Sequence, residues 1–214
     1  MEIVEFLVAN FKSGGIFMYG ILLVLVVGTA IVVERTLALV VRDRVNARAL
    51  WREIEKLIDR DKLADALQRA AATDAPLARV LAAGLSHAHR GEPAAAIERG
   101  IEEMMREVLP QLEKRIHYLY TLSNVATLVG LLGTVVGLIT AFTAVSLADP
   151  AQKAALLATG ISLALNNTAF GLMVAILLML AYSYMQSRAA RIGDEIDEFS
   201  LRLVNRLMAR GGGR

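Results

Sequence analysis

Charge is absent from three long stretches of this chain, and elsewhere apolar residues recur at helical spacing on a charged background. Residues 16–33, 118–148 and 154–187 form uncharged runs of 18, 31 and 34 residues. A membrane-spanning helix needs ~20 predominantly apolar residues, so each run predicts one span. At ~1.5 Å per residue the second and third runs exceed a ~30 Å hydrocarbon core, and they must tilt or continue past it as helix. Residues 98–120 and 186–210 keep helical apolar spacing among charged residues, which favours continuation.

The remaining segment, residues 46–117, reads as helical throughout. Leu50, Ile54, Leu57 and Ile58 repeat at helical spacing, as do Leu63, Ala66, Leu67 and Ala70, and then Ile97, Ile101, Met104, Met105 and Val108. Thr73-Asp74-Ala75-Pro76 breaks the pattern and predicts a helix start, with a cap from this segment and Pro76 in the first turn. Gly91-Glu92-Pro93 predicts a second break, and Pro110 a kink or local interruption. No alternating β pattern is present. The predicted fold class is an all-α integral membrane protein with three transmembrane helices, long helical cytoplasmic extensions and a helical cytoplasmic domain.

Composition agrees with that division. The chain has 214 residues, 56% of them hydrophobic, with mean hydropathy +0.50, above the apolar share of an ordinary soluble domain. A net charge of +2 suggests no nucleic-acid partner. The absence of cysteine removes thiol and disulfide chemistry. His87 and His89 lack further ligands at metal-binding spacing, so no metal or other cofactor is expected. His117 reads as interfacial, Trp51 and the Met104-Met105 pair as packing, and Gly211-Gly212-Gly213 as a flexible tail rather than a phosphate loop.

Lys and Arg near the span ends set the orientation. Arg35, Arg42, Arg44 and Arg48 follow the first run, Lys114 and Arg115 precede the second, and Arg188 and Arg191 follow the third. The N-terminal segment has Lys12 alone, beside Glu2 and Glu5, which also argues against a cleaved signal peptide. The expected layout is a periplasmic segment 1–15, transmembrane helix 16–41, cytoplasmic domain 42–117, transmembrane helix 118–147, periplasmic loop 148–153, transmembrane helix 154–187 and cytoplasmic helix and tail 188–214. This places the protein in a membrane, in contact with lipid.

The second and third runs carry polar groups where lipid offers no partner. On residues 129–142, Gly130, Thr134, Gly137 and Ala141 form one face of small side chains, with Gly133 beside it and Thr127 one turn earlier. On residues 161–176, Ala164, Thr168, Gly171 and Ala175 form a matching face, Ser162 and Asn166 another, and Asn167 lies beside the latter. Spacing leaves two readings: tight helix packing with interhelical hydrogen bonds, or a hydrated path.

GLLGTVVGLITAF followed after a short loop by ALNNTAFGLMVAI resembles the paired signature of the MotA/TolQ/ExbB proton-channel family. Matching positions include Asn124, Gly130, Gly133, Thr134, Gly137, Phe142, Ala164, Leu165, Thr168, Ala169, Gly171 and Leu172. The three-run layout with a large insert after the first run is similar to the TolQ/ExbB branch. The resemblance implies a homopentamer around a central pore, occupied by two helices of an ExbD/TolR-like single-span partner that supplies an intramembrane aspartate. It also implies that the membrane is a bacterial inner membrane, and that Thr134 and Thr168 line the pore near that aspartate. Ser162, Asn166, Asn167 and Thr127 are further candidates for the ion pathway by their polar side chains, Asn166 and Asn167 adding amides that typical members lack. Gly130, Gly133, Gly137, Ala164, Gly171 and Ala175 are the candidates for packing. The implied function is conversion of ion flow, protons or else sodium, into work on the envelope (TonB- or Tol-type energisation, or gliding-type motility) by a non-enzymatic motor subunit. The alternative is a membrane scaffold that moves no ion. This chain departs from the family at Thr127 and Leu177, where proline is common, and at Leu163, where TolQ and ExbB usually carry glutamate.

Overall fold

The computed structural model describes residues 15–42 and 46–211, and all regular structure among them is helical. In chain order the helices are α1 (Gly15–Arg42), α2 (Ala47–Asp59), α3 (Leu63–Ala71), α4 (Pro76–His89), α5 (Ala94–Glu113), α6 (Ile116–Leu147) and α7 (Pro150–Gly211). Three stretches are long and apolar enough to cross a membrane: Gly15–Leu39, Ala94–Leu147 and Pro150–Arg210. The helices resolve into two compact units. One contains α1 up to Glu34 with Arg115–Tyr184, and the other contains Arg35–Lys114 with the chain from Met185 onward.

In the first unit, one seam of each long helix is buried. On α6 it runs through Leu119, Ser123, Ala126, Gly130, Gly133 and Ala141, steps of three and four with one wider step that skips Gly137. On α7 it runs through Ala164, Asn167, Gly171, Val174 and Leu178. Met18 and Ile21 of α1 are fully covered, and Leu178 fills the space over Gly28. The outward side chains are large and apolar: Leu23, Leu128, Ile139, Leu165 and Leu180 each expose more than half of their surface. A helix apolar on all sides suits hydrocarbon surroundings, with the small residues turned inward.

The second unit is a conventional amphipathic assembly. Asn46 caps α2, its side chain accepting from the Ala49 amide at 3.1 Å. Trp51, Ile54 and Ile58 of α2, Val80, Leu81 and Leu85 of α4, Ile97, Ile101 and Leu112 of α5, and Ile196, Phe199 and Leu203 of α7 are buried together as its core. Trp51 meets Phe199 with ring centroids 5.8 Å apart, and Leu203 and Ile101 pack over Gly84. The lower half of α7 is thus both an uninterrupted continuation of the helix that starts at Pro150 and a wall of this unit.

Two local expectations are corrected. Neither Thr73 nor Asp74 caps α4: the N-cap is Ala75, which makes no side-chain bond, while Pro76 occupies the first turn. Pro110 does not interrupt α5, which runs through it to Glu113; the proline is exposed and costs the ladder one donor. The break falls instead at Arg115, in the left-handed region with φ 66°. That conformation costs an L residue about 1–2 kcal/mol. Arg115 Nη1 donates to both carboxylate oxygens of Glu34 at 2.7 Å, which holds the turn against α1.

Candidate functional site

The close approach of α6 and α7 follows from their glycines. A Cβ on Gly171 would lie 2.7 Å from the Ala126 carbonyl oxygen and 3.0 Å from the Gly130 Cα. One on Gly130 would lie 3.0 Å from the Asn167 carbonyl oxygen and 3.3 Å from the Thr168 Cα. One on Gly137 would lie 3.0 Å from the Ala164 Cβ. Backbone against backbone at this distance brings hydroxyls on one helix within reach of carbonyls on the other.

Thr134 and Thr168 use that reach. The Thr168 hydroxyl lies 3.0 Å from the Gly130 carbonyl, and the Thr134 hydroxyl 3.0 Å from the Ala164 carbonyl and 3.3 Å from that of Gly130. The two hydroxyls also contact each other. Each has one proton and two lone pairs. The pair has only two protons for these contacts: with Thr168 donating to Gly130, Thr134 donates to Thr168 or to Ala164, and lone pairs remain for an incoming donor. Both threonines are half-buried, at one edge of the α6–α7 seam.

The other predicted positions divide between faces. Thr127 is half-buried and donates to the Ser123 carbonyl of its own helix at 3.2 Å. Asn167 is only 5% exposed, with its amide packed on Gly133. Its Oδ1 has no hydrogen-bond partner. A cavity of about 360 Å³ adjoins it, lined by Leu163, Thr140, Thr159 and Gly160 among others. Ser162 is exposed and Asn166 half-buried; both lie on the side of α7 away from the seam. Ala175 is buried beside Val174. Spacing associated Asn167 with the Ser162–Asn166 face, whereas the structure puts it in the glycine seam.

In the second unit His87 is engaged by Glu92, its Nδ1 lying 2.6 Å from Oε2, and Arg90 Nε donates to Oε1 of the same carboxylate at 2.5 Å. Hydrogen bonds from His87 and Arg90 hold the Glu92 carboxyl below its ordinary value. Arg206 donates to both oxygens of Asp59 at 2.8 and 2.7 Å, tying α7 to α2 and lowering the Asp59 carboxyl in the same way. His117 is exposed next to Tyr120.

Among the described residues all regular structure is helical, three stretches are long and apolar enough to cross a membrane, and a charge-free glycine seam joins two of them, the features of an integral membrane protein. Residues 72–198 match the model of the MotA/TolQ/ExbB proton channel family, and the chain belongs to that family. It is 30% identical, over 89% of its length and 66% of the relative's, to the ExbB homologue of Methanothermobacter thermautotrophicus, named for biopolymer transport. It is 38% identical to the Tol-Pal system protein TolQ of Haemophilus influenzae, over 48% of the chain and 46% of that protein. It is 33% identical to an ExbB-like biopolymer transport protein of Synechocystis, over 53% of the chain and 54% of that protein. These alignments span between 46% and 66% of the relatives' own lengths. Family and relatives together place the chain in the TolQ/ExbB-like branch.

Proposed function

We propose that this chain is the stator subunit of an ion-driven inner-membrane motor. It forms a homopentamer around two helices of an ExbD/TolR-like partner, and that partner supplies the intramembrane aspartate. The N-terminus is periplasmic, and α2–α5 with the end of α7 are cytoplasmic, as the distribution of Lys and Arg requires. The observation that carries the reading is the half-buried Thr134–Thr168 pair in spans that hold no acid of their own. A carboxylate arriving in such a place is pushed toward its neutral form by desolvation unless hydroxyls solvate it. Two threonines with lone pairs to spare accept from the protonated acid, and by rotating donate to the ionised one. Protons are the expected ion.

Leu163 stands where TolQ and ExbB usually carry glutamate, so the ion relay uses the partner's acid and the hydroxyls rather than an acid of this chain. Asn167, with its buried Oδ1, supplies a further acceptor beside the seam. The same hydroxyls reach backbone carbonyls across the helix pair, which favours the second reading, a scaffold that binds a partner and moves no ion. Proton flux into liposomes containing the chain with and without an ExbD/TolR-like partner separates the two. Flux that requires the partner supports the motor, and a complex that forms without flux supports the scaffold.

A further inference from the structure

The second unit carries two oppositely charged surfaces on opposite sides. Arg48, Arg52 and Lys56 of α2 and Arg60 at its C-cap follow one another at steps of four and are all exposed. They form a cationic stripe about 18 Å long, twelve residues at ~1.5 Å each. The acids of α2 are occupied elsewhere: Glu53 pairs with Arg69, and Asp59 and Glu55 with Arg206. Among the described residues no acid pairs with any of the four cations. Arg52 donates its Nε to the Arg48 carbonyl at 3.2 Å.

Across the unit, α5 and α7 leave a groove of about 290 Å³ whose walls include Glu98, Glu102, Asp197, Met105 and Leu201. Leu201 exposes 63% of its surface. Glu98 and Asp197 have no cationic partner among the described residues, and Glu102 meets only the exposed Arg106, at 3.7 Å. Ser200 also lines the groove. It is 4% exposed, and its Oγ has no hydrogen-bond partner. A buried hydroxyl without a partner beside unpaired carboxylates is a site for a hydrogen-bond donor with positive charge.

Helix geometry sets the two surfaces apart. On α7, Phe199 and Arg206 point to α2, whereas Asp197, Leu201 and Val204 lie about 160° round the helix. On α2, Trp51, Ile54 and Ile58 point inward, and the middle of the stripe, Arg52 and Lys56, lies about 150° round the helix from them. The two surfaces therefore look in opposite directions and cannot meet within one chain. Complementary patches on opposite sides make a heterologous contact, which repeats head to tail and closes into a ring when the rotation allows.

We propose that the groove between α5 and α7 receives the Arg48–Arg52–Lys56–Arg60 stripe of the next copy of this chain. The contact rests on the ring assembly given under Proposed function and specifies which surfaces join its subunits. Arginine suits the groove because its aliphatic stem covers Leu201 and Met105 while its guanidinium reaches Glu98, Glu102 or the Ser200 hydroxyl.

The lack of cysteine in this chain gives a clean background for the test. Full-length Arg52→Cys and Glu102→Cys variants, carrying different affinity tags, are co-expressed and oxidised in the membrane. The expected product is a disulfide-linked dimer bearing both tags, with no dimer from either variant alone. Reversing the stripe (Arg52→Glu with Lys56→Glu) is expected to abolish the ring species in native mass spectrometry. Adding Glu98→Lys with Glu102→Lys in the same chain is expected to restore it. An intact ring with no mixed-tag crosslink overturns this contact and leaves the ring standing, whereas a monomeric wild-type protein overturns both. Self-crosslinking of either single variant overturns the heterologous geometry. Loss of co-purified anionic lipid on stripe reversal, with the ring mass unchanged, overturns the contact in favour of a membrane surface.

Discussion

The Thr168 hydroxyl donates across the helix pair to the carbonyl of Gly130, 38 residues earlier in the chain, at 3.0 Å. That bond exists because Gly130 and Gly171 lack side chains and let the two backbones meet. It also places Thr168 against Thr134, so packing and candidate chemistry share the same atoms.

For the threonine pair, Thr→Val keeps a similar shape and removes the hydroxyl. Interhelical hydrogen bonds in membranes are worth about 0.6 kcal/mol on average. Thr134→Val with Thr168→Val is therefore expected to assemble and bind partner as the parent does, yet to lose partner-dependent proton flux. Thr159→Val, whose hydroxyl bonds only to Ala155 of its own helix, is expected to keep flux. Full flux in the double variant would leave packing as the better account of Thr134 and Thr168.

The glycine seam makes a separate claim about stability. In Gly171→Ala the new methyl meets the Ala126 carbonyl oxygen at 2.7 Å, and backbone cannot swing aside as a side chain can. Overpacking of this kind costs about 1–3 kcal/mol. Gly20→Ala places its methyl 3.5 Å from a Val129 methyl, an ordinary contact. Thermal unfolding in detergent should separate the two clearly, and equal midpoints would contradict the close approach of α6 and α7.

Trp51 holds α2 against α7 in the second unit and is 4% exposed. Trp51→Ala is expected to destabilise that unit by about 3–5 kcal/mol. Truncation after Arg191 removes Ile196, Phe199 and Leu203 from the same core and is expected to abolish its cooperative unfolding. Limited proteolysis between Asn46 and Glu113 reports both, and protection equal to the parent's would show that the core does not depend on α7.

The Glu92 carboxyl titrates below its ordinary value of 4.5 because His87 and Arg90 donate to it. A depressed folded value means that the unfolded chain takes up the proton first. The stabilisation from Glu92 is therefore complete above the ordinary value and is lost as pH falls through the lower folded value. Asp59, lowered from 3.8 by its hydrogen bonds with Arg206, acts in the same direction at slightly lower pH. Melting temperature should fall on acidification below about pH 4.5, and Glu92→Gln with Asp59→Asn should flatten that fall. An unchanged slope in the double variant would show that these carboxylates do not set the acid limit.

The three spans, the helical insert and the family were all legible in the sequence. Runs without charge stand out against a charged background, and the glycine–threonine signature is local in sequence. At Pro110 the sequence left a kink and a break both open; the helix runs through it, and the break lies further on, at the left-handed Arg115. Asn166 and Asn167 are neighbours about 100° apart round α7, and in a helix apolar on nearly every side no polar contrast marks which of them faces inward. The meeting of α6 and α7 decided that, by burying Asn167 on Gly133 and leaving its oxygen unpaired.

The sequence by itself determined the helices and their membrane character, because burial in lipid and helix propensity depend on residues close together in the chain. Only the tertiary structure decided that Thr134 and Thr168 meet at the Gly130 carbonyl. It alone showed that α7 also walls the second unit, and that the cationic stripe and the acidic groove face opposite ways. Each of these depends on the rotation of one helix about its axis relative to another. Rotation is set by the fit of small side chains between backbones, and a pattern of apolar residues does not encode it.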